Sequence, residues 1–405
     1  MTESLSPRIL LIESSEDAAR EMRRIGVSDG GIDAMAGKAR TVVIKVAGAT
    51  VPVAHILKQQ MLSLGGDAAV AADVLTHSVD STDVLVMGTR NQLRDLIGKL
   101  AWQPFGLPAL GEQIASLLAT LDPKDGGILR ARGHSLDLGN HVHVMGILNL
   151  TPDSFSDGGA YLRPSAALER ALEMIEEGAD IIDVGGMSSR PGSDEIPEDE
   201  EIARTAPVVA RLNEEWNGPI SVDTYRAGVA AEALAAGASI INDITAFGVE
   251  GDTAAVTAGA GAACVLMHMQ GSPATMQDDP RYDDLMGEIA HFLDRAIRRA
   301  LDAGIGGDQI VIDPGIGFGK TKEHNLEILK RLSELKVLGK PILVGPSRKG
   351  FIGRVLDLPV DDRLEGTLAA TAHAIAQGAR LIRVHDVRPA VRTARMIEAC
   401  LSPGS

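Results

Sequence analysis

Cysteine is nearly absent from this 405-residue chain: Cys264 lies in an apolar run, Cys400 near the end, and no C-x-x-C spacing occurs. A disulfide framework is excluded, and a reducing compartment, the cytoplasm, is expected. Aromatic residues make up only 3%, which disfavours the base-stacking platforms of single-strand nucleic-acid binders. Basic residues are outnumbered, 39 Lys and Arg against 55 Asp and Glu, leaving a formal net charge of −16. That field opposes broad binding to nucleic acid or anionic membrane. Any anionic substrate must therefore be held by local Arg, Lys, backbone N–H groups or a metal. No apolar run approaches the ~18 residues of a membrane span. The opening "MTESLSPRILLIESSED", with its short apolar run and acidic flank, is unlike a secretory signal.

What is present is length and pattern. Single cores stop growing near ~250–300 residues, so two domains are expected. Residues 1–121 read as a small α/β domain. "RILLIE" (8–13), "TVVIKVAG" (41–48) and "TDVLVMGT" (82–89) look like strands, and Ser15 looks like the N-cap of a first helix. Residues 122–133, "DPKDGGILRARG" in essence, have the make-up of a linker. From 134 to 405 continuous apolar strands alternate with helices eight times, beginning with "HVHVMGILNL" and ending with "RLIRVHDV" and "AVRTARMIEACL". Such a pattern indicates a parallel sheet, and eight units in about 265 residues suit a (β/α)8 TIM barrel rather than a doubly wound sheet.

In such barrels the chemistry sits at the C-terminal strand ends. Here those ends carry Asn149, Gly185–Gly186, Asp223, Asn242, His268, Asp313, Ser347 and Arg383 with His385. Any one could be a turn former or helix cap; eight on one rim make a site. Asp223, Asp313 and Asn242 offer acceptors and one amide, while Lys349 and Arg383 donate. That mixture suits a neutral planar heterocycle, because a carboxylate can accept two parallel N–H bonds from a 2-amino-pyrimidinone edge. Arg190 and His385 suit an anion. Asn149 beside a diphosphate would suit Mg²⁺, which keeps waters and takes few protein ligands.

Several shorter matches fail on their chemistry. "PGIGFGKT" (314–321) has Pro314 where a Walker A loop needs Gly, and lacks the last Gly of a dinucleotide fingerprint. Asp153 to Asp157 starts like a calcium loop, but the twelfth position is Pro164. Asn149-Leu150-Thr151 is a sequon without meaning in a cytosolic protein. His141 and His143 alternate along a strand with no third ligand nearby, so a surface or packing role is expected.

Taken together and in order, "VMGILNLTPDSFSDGG", "DVGGMSSRPGS", "SVDTYRA", "INDI", "MHMQGSPATMQ", "DPGIGFGKT", "LVGPSRKGFIG" and "IRVHD" resemble dihydropteroate synthases. The resemblance runs from about 134 to 401. It implies an enzyme of folate biosynthesis, a transferase joining 6-hydroxymethyl-7,8-dihydropterin diphosphate to 4-aminobenzoate with release of diphosphate. It implies that Asp223, Asn242, Asp313, Lys349 and Arg383 hold the pterin, and that Asp223, Lys349, Arg383 and His385 serve catalysis. Asn149 would meet Mg²⁺, and Phe155, Ser189, Arg190, Pro191 and Phe318 would shape the aminobenzoate pocket. The first two loops would close only after diphosphate is in place. A homodimer and sensitivity to sulfonamides are also implied.

Two positions depart from the family pattern: Ser189 stands where many members have Thr, and Gly350 where a Ser often contacts aminobenzoate. Both trim the aminobenzoate pocket and leave the pterin pocket intact. Two alternatives remain, a pterin-binding methyltransferase acting on a methylfolate and a corrinoid protein, and an inactive scaffold. The 1–121 domain carries no chemistry that its residues reveal.

Overall fold

The N-terminal unit starts from a helix cap. Ser14 accepts from the Asp17 N–H at 3.0 Å, and the Asp17 carboxylate accepts from the Ser14 N–H at 3.0 Å. This closed box, rather than Ser15, starts helix α1 (Ser15–Arg24), because only Ser14 stands three residues before a side chain that can reach back. After α2 (Asp29–Met35) come strand β1 (Thr41–Thr50), α3 (Val51–Ser63), β2 (Asp67–Val70), β3 (Ser81–Thr89), α4 (Arg90–Leu100) and α5 (Leu107–Thr120). The strands form an antiparallel sheet in the order β1–β3–β2. Leu57, Met61, Val84, Val86, Leu93, Leu96 and Ile114 make its core. The strand expected at 8–13 does not form over 8–12, where Ile9 is 99% and Leu11 83% exposed. Apolar content alone does not make a strand without a neighbour to complete its ladder.

The computed structural model describes residues 7–12, 14–76, 78–121, 127–139, 141–150, 164–188, 195–249, 252–272 and 275–401. It divides into two units, Met1–Lys124 and Asp125–Ser405. Residues 128–131, expected as linker, form a strand. Strands β4 (Ile128–Ala131) and β5 (His134–Asp137) pair antiparallel. Arg132 and Gly133, at φ 36° and 85°, form the two-residue turn between them, a left-handed geometry that matches hairpin twist. Leu129 and Ala131 are buried against Met145, Ile181, Ile240, Val311, Leu343 and Leu381, which lie near the first residues of the barrel strands. The hairpin therefore plugs the N-terminal end of the barrel.

The barrel runs β6 (His143–Asn149), α6 (Pro164–Glu176), β7 (Ile181–Gly185), α7 (Glu198–Glu215), β8 (Ile220–Asp223), α8 (Ala227–Ala236), β9 (Ile240–Asp243) and α9 (Thr253–Gly259). It continues through β10 (Ala263–Met267), α10 (Leu285–Asp302), β11 (Ile310–Asp313), α11 (Lys322–Arg331), β12 (Leu343–Val344), α12 (Gly350–Leu356), α13 (Leu364–Ala376), β13 (Leu381–Val384) and α14 (Val387–Leu401). The eight strands order as β11–β10–β9–β8–β7–β6–β13–β12, and a parallel bridge from Ile312 to Ile342 joins the two ends. Their faces are buried on both sides, inward by the layered barrel core and outward by helices, which is why they read as unbroken apolar runs. His143 is buried, its Nε2 3.0 Å from the Asp137 carbonyl, whereas His141 is exposed. The expected packing role thus belongs to one and the surface role to the other. Among the described residues, no helix is long and apolar enough to cross a membrane.

Candidate active site

Strand register sets the site. Asn149 pairs with Gly185, Gly185 with Asp223, and Asp223 with Asn242, so four strand ends present one row. Gly185 carries no side chain, and a Cβ there would lie 3.6 Å from Asn149 Oδ1 and 3.8 Å from Asp223 Cβ. The row is therefore polar on either side of Gly185, with no side chain between. One layer deeper on β7 sits Asp183, fully buried. Arg383, on β13, donates from Nε to Asp183 at 2.6 Å and from Nη2 to Asp223 at 2.7 Å. Asn242 donates to Asp183 at 3.3 Å. Four strands are thus cross-braced by one guanidinium, two carboxylates and one amide. Sequence reasoning named Asp223, Asn242 and Arg383 but missed Asp183. The available signal was a carboxylate between Ile182 and Val184, two residues before a rim glycine.

Burial sets the protonation of this cluster. Asp223 is pushed up to about 7, first by desolvation; Asp183 and Glu201 add to the rise, while Arg383 and Lys349 oppose it. Asp313 is pushed up to about 6 by desolvation, against the Gly315 N–H donated to it at 2.7 Å and the cations Lys349, Lys320 and Arg383. Burial works against charge on Arg383 too, but Asp183 and Asp223 outweigh it and its pKa rises. His385 is pulled down to about 3, by burial and then by Arg383 and Arg348. It is a neutral imidazole. Ser347 Oγ accepts from the His385 N–H at 3.2 Å and lies 2.9 Å from its Nδ1. With the Ser347 hydroxyl donating to Nδ1, the ring proton sits on Nε2, and Nε2–H is then the ring's donor.

The segments after β11 and β12 supply the aromatic part. Lys349 places Nζ 4.0 Å from the centroid of the Phe318 ring, within cation–π range. Phe318 is packed with Ile244, Met267, Met269 and Met276. Arg348, at φ 57°, holds Asp386 with Nε at 3.1 Å and Nη2 at 2.7 Å, fixing the backbone just before Lys349. Around Gly350 a Cβ would meet nothing within 4 Å, so the missing serine leaves open space. Lys320 is also buried, and sequence reasoning passed over it. A cleft of about 500 Å³ lined by Gln277, Pro280, Lys320, Thr321, Lys322, Glu323 and Arg354 opens nearby, but none of the clustered carboxylates lines it. Phe155, Ser189, Arg190 and Pro191 lie outside the described residues. Among the described residues no three His, Cys, Asp or Glu side chains converge as a metal cage.

Known proteins share this arrangement of motifs. The family described as pterin binding enzyme matches residues 145–385, more than half of the chain. The dihydropteroate synthase of Synechocystis is 47% identical over 264 residues, covering 65% of this chain and 91% of that protein. The chain belongs to the dihydropteroate synthase family. It is a transferase of that family, and its barrel has the family's fold. The Xanthomonas albilineans dihydropteroate synthase, solved with 4-aminobenzoic acid, superposes with a TM-score of 0.64 at 41% identity, over 68% of this chain and 99% of that one. A probable bifunctional folylpolyglutamate synthase/dihydropteroate synthase of Haloferax volcanii is 37% identical over 400 residues, covering 96% of this chain and 47% of that protein. That last similarity covers nearly the whole chain and so extends through the N-terminal unit.

Proposed function

We propose that the chain condenses 6-hydroxymethyl-7,8-dihydropterin diphosphate with 4-aminobenzoate, giving 7,8-dihydropteroate and diphosphate. The observation that carries this is the brace Asp183–Arg383–Asp223 with Asn242 at the barrel mouth of a member of this family. Asp313, when ionised, accepts N–H groups from the pterin edge, and Asn242 and Lys349 complete the polar frame. Arg383 has a fixed guanidinium plane, held by two carboxylates, against which a flat ring can stack. A second carboxylate, Asp223, lies where it can stabilise positive charge on the ring as diphosphate departs. His385 offers the leaving group a neutral Nε2–H donor, not a cation. The aromatic amine attacks without a strong base, so no nucleophilic Ser or Cys is needed.

Asn149 suits a hydrated Mg²⁺: its amide oxygen lies beside Gly185 at the rim, where no side chain intervenes, and a cation held chiefly by diphosphate and water needs few protein ligands. When bound, the ion would neutralise the leaving group's charge. Phe318 is assigned to the aminobenzoate side with Phe155, Ser189, Arg190 and Pro191, on the strength of the motif match. A cytoplasmic homodimer is part of this reading, and light scattering at twice the 42.5 kDa chain mass is the expected result.

Calorimetric titration with the pterin diphosphate tests the site assignment. Asp183→Asn frees Arg383 from its deepest partner, and affinity is expected to fall at least about tenfold, in line with losing one charge-assisted bond. Unchanged affinity in a folded Asp183→Asn protein contradicts the assignment.

A further inference from the structure

Lys320 has the bulkiest side chain among the fully buried ones, at 1% exposure. A lysine so deep must have every proton satisfied. Its Nζ meets three partner atoms: it lies 2.9 Å from His268 Nδ1 and donates to the Phe318 carbonyl at 2.9 Å and to the His268 carbonyl at 3.3 Å. Two of these belong to the segment after β10 and one to the segment after β11. The same segments touch through their backbones. A Cβ on Gly315, at φ 70°, would come within 1.9 Å of the His268 carbonyl, and one on Gly319, at φ 62°, within 2.6 Å of the Gln270 carbonyl. His268 is itself fixed edge-on against Phe292, with ring centroids 4.9 Å apart. Between the two glycines stands Phe318, whose ring lies beneath Lys349 Nζ.

We infer that Lys320 is a positioning residue for the aminobenzoate side of the site, tying the two strand-end segments together so that the Phe318 ring is set against Lys349. The inference deepens the synthase reading and rests on it for the identity of the ligand that Phe318 meets. Lys320 makes no hydrogen bond to a carboxylate of the pterin cluster, but its charge acts on Asp313, so the His268 variants, which keep that charge, are the arm that separates the two substrates. The Nδ1 contact supplies a matched control, because an Asn at position 268 can offer Oδ1 near the same point while Leu cannot.

The test compares Lys320→Met, His268→Asn and His268→Leu with the wild-type chain in two measurements. In steady-state kinetics, His268→Leu is expected to raise the aminobenzoate KM about tenfold or more with the pterin diphosphate KM within about twofold, and Lys320→Met to raise the aminobenzoate KM by the larger factor of the two. His268→Asn is expected to stay near wild type. In amide hydrogen exchange, the 314–321 segment of Lys320→Met is expected to exchange about tenfold faster while β6 to β8 are unchanged. Equal loss for both substrates in His268→Leu, or wild-type kinetics and exchange in Lys320→Met, overturns the inference. If Lys320→Met does not fold, the His268 pair decides alone, and indistinguishable Asn and Leu variants overturn it. A wild-type chain that turns over neither substrate overturns the synthase reading instead, while the exchange measurement still decides whether Lys320 braces the loop.

Discussion

Asp313 and Asp223 stand near 6 and 7, above the 3.8 of an ordinary aspartate, because burial penalises their charge. The folded state therefore holds these protons more tightly than the unfolded chain. The stability gained is complete below pH 3.8 and is lost as pH rises through about 6 to 7. For Asp313 the gap amounts to on the order of 3 kcal/mol. Ligand binding runs the other way, since only the ionised carboxylate accepts two N–H bonds. Pterin affinity is thus expected to rise with pH through about 6 while the unliganded protein loses stability over the same interval. Thermal melts and calorimetry across that range check both signs. Asp313→Asn should flatten the stability profile and lose the pterin binding. A site that sacrifices apo-protein stability to keep a carboxylate ready for its ligand explains why strongly shifted groups gather here.

Element by element, much of the barrel was legible because its strands are apolar throughout and its helices are amphipathic. The polar residues that interrupt each strand end then marked the rim. Asp183 was not legible by that rule, since it lies a layer below the rim inside an apolar strand and shows itself through Arg383 and Asn242. Lys320 was hidden for the opposite reason: it sits in a glycine-rich stretch where a lysine reads as surface or phosphate-binding. The β4–β5 hairpin escaped because Gly, Arg and Lys in residues 122–133 look like a linker, while the two residues that matter, Leu129 and Ala131, are few and small. Leu129 fills the barrel floor with Ile181, Val311 and Leu381. Leu129→Ala is expected to cost about 2–4 kcal/mol, measured as a fall in the denaturation midpoint with little change in KM for either substrate. A cost within the error of the measurement removes the hairpin from the barrel core.

For the molecule as a whole, the hairpin decides where the catalytic unit can be cut. A chain beginning at Asp125 keeps β4, whereas one beginning near Arg132 loses it together with Leu129. The longer version is expected to fold cooperatively, and the shorter one to lose at least the few kcal/mol expected for Leu129→Ala. The N-terminal unit, a three-stranded sheet with helices, presents no chemistry of its own, and the sequence similarity to the Haloferax protein over 400 residues runs through it. The central claim is the condensation itself. Purified full-length chain is incubated with 6-hydroxymethyl-7,8-dihydropterin diphosphate and Mg²⁺, with and without 4-aminobenzoate, and diphosphate and pteroate are quantified together. The expected result is one diphosphate per 7,8-dihydropteroate, with formation of both dependent on aminobenzoate. Diphosphate release that ignores aminobenzoate, or no pteroate at all, contradicts it.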